Sequence, residues 1–506
     1  MQQDAVLVAV ICTFILSAAL LFLMFIFKFE KTLRRIICAV SLLCNAFAMG
    51  ALAVGYTNLL AILFLFISIY QIINILRIVQ SRMNEEYLFR STKRTFYYLF
   101  ISQLLILGIF GSKHFFNWQI KNDLLLQGLV GVTLLVSIIL AVTTLLNIFL
   151  SKTKPTGLLA DSKLPTLTLA IPARNENEML TDCLEAATGC TYPKLEILVL
   201  DDCSQDKTAQ IIKSYAQKGV RFVQAGIEDD SWLSKNQAYQ VLLDQSAGDL
   251  IMFMGVDVDL SPDSLTRIVE VFLADGVNMM SVMPKRVKSG LIAAFIQPMR
   301  YWWELSIPRW FLKRPPVLST CWLMDKQVLV KMGGFKSVKR AIIPEEHLAW
   351  QQSKLGMYRF IRNTKYIDLT TQKDFFSQWS TALRTRYPQV HRRPELVVLR
   401  SLIMTVFLLL PFVICVLQVT TSKLDFYVFI ISLASVILLV TSNVLISSVT
   451  NPMSSMLAVI NFPINVVLDL IALHISMIRY EFGEVIWKGR NVSDAAMHVY
   501  YKLPKI

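Results

Sequence analysis

Apolar stretches long enough to cross a bilayer as helices lie near residues 5–27, 36–55, 58–79, 96–112 and 123–150, and again near 397–418, 425–449 and 454–478. No other feature constrains the chain as strongly, because hydrocarbon offers no partner for backbone N–H and C=O groups and such runs must satisfy them internally as helices. Residues 151–395, between the two sets, are mixed in polarity and predict a water-soluble domain set into a membrane protein. A hydrophobic content of 55% and a mean hydropathy of +0.52 fit this division. The first segment has neither a basic region before it nor a small-residue cleavage site after it, which predicts a retained anchor.

The formal charge of +14 raises nucleic-acid binding, yet in a chain with this many spans Lys and Arg also gather in cytoplasmic loops. Lys28, Lys31, Arg34 and Arg35 follow the first span, and Arg77, Arg82, Arg90, Lys93 and Arg94 follow the third, whereas the turn at 55–58 carries no charge. Spans that start from an outside N-terminus then deliver residue 151 to the cytoplasm, beside Lys152 and Lys154. The last three spans would place the tail outside, but Arg479, Lys488, Arg490, Lys502 and Lys505 predict a cytoplasmic tail. Residues 454–478 contain Asn461, Pro463, Asn465, Asp469 and His474, so this segment is read as broken, re-entrant or interfacial. The expected organisation is a membrane domain of about five helices over 1–150, a cytoplasmic domain over 151–395, and two or three further membrane helices with a cytoplasmic tail over 396–506. The 8 cysteines are scattered without C-x-x-C spacing, which indicates neither a zinc site nor a disulfide framework.

Within the middle region, LTLAIPARNENEML reads as a strand over 167–171, a Pro-Ala turn and a polar helix start. The helix TDCLEAATGC, the strand ILVLDD, the helix KTAQIIKSYAQ and the apolar runs RFVQA and DLIMFMGVDVD follow. Strands alternating with helices predict a mostly parallel α/β sheet with its ligand site at the strand ends. Two of those ends carry carboxylates, Asp201 with Asp202 and Asp257 with Asp259. Asp202 is placed to hold a base or ribose, and Asp257 to bind a divalent cation that bridges two phosphates; the bland alternative is a pair of solvated turns.

Residues 165–390 resemble the nucleotide-binding catalytic domain of the family 2 glycosyltransferases, the inverting group that includes cellulose, hyaluronan and ceramide glucosyl transfer enzymes. The resemblance rests on an ordered series: AIPARNE, YPKLEILVLDDCSQDKT, WLSKNQA, GDLIMFMGVDVDLSPDSL, TCWLMDKQVLVKMGGF and IIPEEHLAWQQSKLG. WKGRNV, at 487–492, resembles the end of membrane-bound members that glycosylate lipids. The resemblance implies a GT-A type α/β nucleotide-binding domain inserted between transmembrane helices. It further implies inverting transfer of a sugar from a nucleotide diphosphate-sugar, a UDP-sugar, to a membrane lipid, with Mg²⁺ or Mn²⁺, at the cytoplasmic face of a bacterial inner membrane.

By the same resemblance, Pro172 and Ala173 line the base pocket, Asp202 holds the uracil or ribose with Asp201 behind it, and Lys235 lies near the diphosphate. The family's D-x-D places its second carboxylate on Asp257 and its first on Gly255, so Asp257 takes the metal and Asp259 is the weaker candidate. The family's E-D base motif falls on Glu345, with Pro344 in place of the Glu and Glu346 as a structural neighbour; the alternative is an acid pair at a helix N-terminus. The Q-x-x-R-W motif is degraded in QWSTALRTRYPQ, leaving Arg384 or Arg386 to face the phosphates and Trp379 or Tyr387 as an aromatic platform for the acceptor. Its erosion disfavours a processive polysaccharide synthase, which stays a rival reading beside a catalytically inactive binding protein. FIQPMRYWWELSIPRWFLKR, at 295–314, mixes Trp302, Trp303, Trp310 and Phe311 with Arg300, Arg309, Lys313 and Arg314, as an interfacial helix does, and Trp302 and Trp303 are expected near a lipid acceptor.

Overall fold

The computed structural model describes residues 122–492, apart from 154, 156–159, 227–228, 230, 288–291, 294–298, 309–314, 422–424, 452–454, 456, 483–484 and 489, together with Leu16, Ile36 and Val40. The four spans expected before residue 122 and the tail beyond 492 lie outside the described residues.

Helix α1 (Asn122–Leu150) leads into an alternating series: β1 (Leu167–Ala173), α2 (Leu180–Thr188), β2 (Leu195–Asp201), α3 (Thr208–Ser214), β3 (Val220–Gln224), α4 (Ser234–Gln245) and β4 (Leu250–Met254). Each crossover helix is apolar on one face; in α2, Leu180, Cys183, Leu184 and Ala187 recur at helical spacing and all are buried against the sheet. Then come β5 (Val258–Leu260), α5 (Ser264–Asp275), β6 (Met279–Met283), β7 (Lys285–Arg286), α6 (Arg300–Ser306), β8 (Cys321–Asp325), α7 (Lys326–Lys331), α8 (Pro344–Lys354), β9 (Tyr358–Arg362), β10 (Leu369–Thr371) and α9 (Phe375–Gln389).

The main sheet runs β3-β2-β1-β4-β8-β6-β9. Only β8 is antiparallel to its neighbours, β4 and β6. Strands buried on both faces explain the unbroken apolar runs at β2 and β4, and separate cores lie on the two sides of the sheet. The expected Pro-Ala turn is instead the last part of β1. Pro172 is tolerated in this central strand because pairing with β4 ends at Ala170, while pairing with β2 continues to Ala173. A small sheet, β5-β10-β7, lies beside the ligand end and brings Thr371 towards Asp257.

After α9 come α10 (Pro394–Ile403), a π-helical stretch (Met404–Leu409), α11 (Leu410–Thr421), α12 (Phe426–Thr450), α13 (Ala458–Phe482) and a hairpin of β11 (Ile486–Trp487) and β12 (Arg490–Asn491). Among the described residues, four helical segments are long and apolar enough to cross a membrane: 126–150, 396–420, 426–450 and 458–481.

The last of these is a continuous helix through Pro463, so it is not broken. It lies against the α/β domain along its length. Phe462 near its start packs with Trp302, Met283 and Leu318, Ala472 packs on Ala382 and Leu383, and Tyr480 near its end donates to Arg384 O at 2.8 Å. Its polar residues are partnered: Asn443 of α12 donates to Asn461 at 3.1 Å, and Asp469 pairs with Arg386 of α9 and with Arg400 of α10, the latter at 3.4 Å. Ile460, Ile464, Val467, Ile471 and Ile478 form the opposite, exposed face.

Candidate active site

The donor end is built from the carboxyl ends of β1 and β2, where Ala173 stands opposite Asp201 and Asp202 N–H donates to Ala173 O at 2.9 Å. The two connecting loops hold each other: Asn175 N–H donates to Ser204 Oγ, Gln205 N–H to Asn175 Oδ1, and Glu176 N–H to Thr208 Oγ1. Asn175 and Cys203 sit in the left-handed region, at φ 51° and 54°, a strained geometry that the interlocked loops maintain. Asp201 is buried and accepts from Ser204 N–H at 3.3 Å, the geometry of a turn acid.

Asp202 is engaged by cations. Arg490 donates to both carboxylate oxygens at 2.8 and 3.0 Å, and Arg174 lies at 3.7 Å. The β11–β12 hairpin is held over this end of the sheet by further contacts: Arg174 Nε donates to Lys488 O at 2.9 Å, and Lys488 Nζ reaches Asn175 O at 2.9 Å and Glu176 at 3.1 Å. Burial pushes the Asp202 carboxyl above its ordinary value, and Arg490 and Arg174 only partly oppose it.

Asp257 follows β4 and the turn at Gly255. A Cβ on Gly255 would stand 2.6 Å from Asp257 Oδ1, so the Asp257 side chain fills the space that a first carboxylate would need. Lys373 Nζ lies 3.0 Å from Asp257 Oδ2, and Thr371 Oγ1 donates to the same oxygen at 3.1 Å. Burial favours the neutral acid, but Lys373 and Thr371 outweigh it and hold Asp257 below the ordinary carboxylate value. Asp259 is exposed and paired across β5–β10 with Thr370. No three His, Cys, Asp or Glu side chains among the described residues come together as a metal site. A divalent ion held by one carboxylate and substrate phosphates would have to displace Lys373 and Thr371 from Asp257, so the residues as they are arranged do not fit it.

At the opposite wall, Pro344 starts α8 and Glu345 follows it, buried at 1% exposure. Lys235, near the start of α4, lies 3.8 Å from Glu345 Oε2, and that oxygen accepts no hydrogen bond from the described residues. Burial pushes the Lys235 ammonium down, and Arg384, Arg300 and Lys373 add to this while Glu345 opposes it. Arg384 also lies 4.7 Å over the Trp487 ring, so the hairpin touches both walls of the site. A cavity of about 40 Å³ beside Asp257 is lined by Asp257, Arg286, Arg300, Thr371, Lys373 and Arg386, among others. Glu346 is half-buried beside Glu345.

Several expected acceptor and phosphate residues are placed elsewhere. Tyr387 has no exposed surface: its hydroxyl bonds Glu481 and donates to Arg392 O at 2.9 Å, so it offers no platform. Trp302 is buried between Trp303 and Phe462, and Trp303 Nε1 donates to Asp469 at 2.9 Å. Both tryptophans join the α/β domain to the apolar helices, against which α6 packs. The other ends of the proposed 295–314 helix lie outside the described residues. Trp379 is half-buried and stacked on Phe375. Arg386 is spent on Asp469, leaving Arg384 as the guanidinium nearer Glu345.

Sequence reasoning missed Arg174, Arg286 and Lys373 in the site. Arg174 was visible within AIPARNE, whereas Lys373 belongs to no motif and arrives only through β10 pairing with β5.

A model described as Glycosyl transferase family 2 matches residues 168–333. This segment is a family 2 glycosyltransferase domain. Its fold is of the GT-A type, with a mostly parallel sheet and flanking apolar helices. Glycosyltransferase AglE of Haloferax volcanii is 31% identical over 122 residues, 23% of this chain and 39% of that protein. The 4,4'-diaponeurosporenoate glycosyltransferase of Staphylococcus haemolyticus is 28% identical over 124 residues, 24% of this chain and 32% of that protein. The chain thus spans well under two thirds of the length of these relatives. The mannosyltransferase PcManGT of Pyrobaculum calidifontis, solved with GDP-Man and Mn²⁺, aligns over 68% of this chain and 99% of its own at 15% identity, with a TM-score of 0.40, a likeness too loose to carry an argument. Of the site residues of the glycosyltransferase domain, Glu345, Lys373, Arg384 and Arg490 all lie beyond the matched segment.

Proposed function

We propose that this chain transfers a sugar, with inversion, from a nucleotide diphosphate-sugar to a membrane lipid. The observation that carries the reading is the Oε2 of Glu345: a buried carboxylate oxygen with no hydrogen-bond donor among the described residues, 3.8 Å from Lys235 Nζ and within the electrostatic reach of Arg384. Buried polar atoms are ordinarily satisfied, so this oxygen is suited to accept the proton of an acceptor hydroxyl. Attack from the Glu345 side, opposite the departing diphosphate, inverts the anomeric carbon. Arg286 and Arg300, which line the cavity beside Asp257, then stabilise the charge that develops on the leaving group.

Asp202, Pro172 and Ala173 hold the nucleoside, for which uridine is the proposed base. The apolar helices packed under α6 and α9 support a lipid acceptor reaching the site from the bilayer, with the catalytic domain and the tail hairpin on the cytoplasmic face. Incubating membranes with a panel of labelled sugar nucleotides and weighing the extracted lipids tests the reading. One lipid should gain the mass of one sugar; polymer, or label confined to water-soluble products, would overturn it.

A further inference from the structure

Among the described residues the family's divalent ion would find one carboxylate, Asp257, already paired with Lys373, yet a diphosphate leaving group still demands positive charge. We infer that the ammonium of Lys373, held on Asp257, takes the place of that ion, so that the chain neutralises its donor with its own cations and works without metal. The inference rests on the proposed function above.

Three observations support it. First, the position that would carry the first metal carboxylate is Gly255, and the Asp257 side chain occupies the space there. Second, Asp257 already has a cation partner: Lys373 Nζ sits 3.0 Å from its Oδ2, and Thr371 Oγ1 donates both to that oxygen, at 3.1 Å, and to the Asp257 backbone O, at 2.8 Å. The pairing of β10 with β5 fixes this placement, since Thr371 stands opposite Val258 and Gln372 N–H donates to Asp257 O at 3.2 Å. Third, Lys373 does not act alone. Arg286 and Arg300 line the same cavity, Arg286 stacked 4.1 Å over Tyr301, and Lys235 and Arg384 act from the far wall. These five cations exceed the three carboxylates within their reach, Asp257, Glu345 and Glu176, which leaves net positive charge for a diphosphate.

The step balances without a metal. The bond from the anomeric carbon to the donor phosphate oxygen breaks and its electron pair stays on the diphosphate. The acceptor oxygen bonds the same carbon and its proton passes to Glu345. Lys373 donates one N–H to the diphosphate while another remains on Asp257, since an ammonium has three donors.

The test is calorimetric titration of UDP and of GDP into the purified full chain, in EDTA and in MnCl₂. One of the two nucleotides should bind in EDTA within about twofold of its affinity in Mn²⁺. Lys373→Ala should weaken that metal-free binding about ten- to a hundredfold, the worth of a charge-assisted hydrogen bond, and Lys373→Arg should keep most of it. Circular dichroism shows whether each variant is folded. Binding that appears only with Mn²⁺, or metal-free binding unchanged in folded Lys373→Ala, would overturn the inference and leave the proposed function standing. No binding of either nucleotide under both conditions would overturn the two together.

Discussion

Arg490, on the hairpin after α13, donates through one guanidinium nitrogen to both carboxylate oxygens of Asp202, at 2.8 and 3.0 Å. The two are 288 residues apart in sequence. The carboxylate assigned to the nucleoside is therefore already occupied by the chain's own tail, and a nucleotide must compete with Arg490 for it. Asp202→Asn removes the charge while keeping the shape, so the hairpin should open more often. A charge-assisted hydrogen bond contributes about 1.5–3 kcal/mol, enough to raise local opening at least several-fold. Tryptic cleavage after Lys488 and Arg490 should quicken accordingly, and adding a bound nucleotide to the native protein should quicken it too. Protection by nucleotide would mean that the hairpin closes over the donor.

Glu345 and Glu346 are adjacent, but only Glu345 is fully buried and faces Lys235 at 3.8 Å. Glu345→Gln keeps the size of the side chain and loses the proton acceptor. Turnover should fall by about 10²–10⁴-fold, the usual contribution of a general base, with nucleotide affinity retained. Glu346→Gln should change turnover little. Loss of activity in Glu346→Gln with a fully active Glu345→Gln would move the base by one residue.

Legibility in the sequence followed burial. The strands ending at Asp201 and Met254 were readable because strands buried on both faces must be continuously apolar, and the carboxylates beyond them sit where such sheets bind ligands. Trp302 and Tyr387, both buried, were misread because aromatic residues mixed with Arg have one composition whether the helix faces lipid or the joint between two domains. Only tertiary packing distinguishes these cases. Lys373 was invisible for another reason: it is set beside Asp257 by a strand pairing between residues 258–260 and 369–371, which no local pattern announces.

Asp469 is fully buried with Arg386 and also pairs with Arg400 at 3.4 Å. Removing the carboxylate leaves Arg386 buried without its counter-charge, a change that costs about 3–5 kcal/mol in comparable pairs. Asp469→Ala should lower the unfolding midpoint of the purified protein sharply, and Asp469→Leu combined with Arg386→Met should recover much of it. A stable Asp469→Ala that has lost nucleotide affinity would instead return Arg386 to the donor site.

Acid stability should report on Asp257. Burial raises its pKa, but Lys373 and Thr371 lower it further, so the folded value lies beneath the ordinary 3.8. A depressed carboxylate adds stability that is present above the unfolded value and is lost as pH falls through the folded one. Asp257→Asn lacks that contribution, so its stability curve should be flatter than the native one below about pH 4. Parallel acid limbs in the two proteins would show that the Asp257–Lys373 pair adds nothing to folding.

Helix α13 has the length of a membrane span, yet both of its ends stay beside the catalytic domain: Phe462 packs with Met283 and Leu318, and Tyr480 donates to Arg384 O. A helix leading across the bilayer would part from that domain within a few turns. Asp469 lies near its middle, and a carboxylate at the bilayer centre costs about 2.5–3.5 kcal/mol even on insertion scales, whereas here it is paired with Arg386 from the catalytic domain. With Ile460, Ile464, Val467, Ile471 and Ile478 on the other face, the helix is suited to lie along the membrane surface with that stripe in the lipid. This placement also lets the basic tail return to Asp202 after the span 426–450. In a background with the native cysteines replaced by serine, Ser448→Cys and Arg479→Cys flank most of α13 and both positions are exposed. An impermeant maleimide should label the two in the same vesicle orientation, together with a cysteine at exposed Lys218 in the catalytic domain. Labelling of Ser448→Cys and Arg479→Cys from opposite sides would make α13 a true span and would require the hairpin to reach Asp202 by another route.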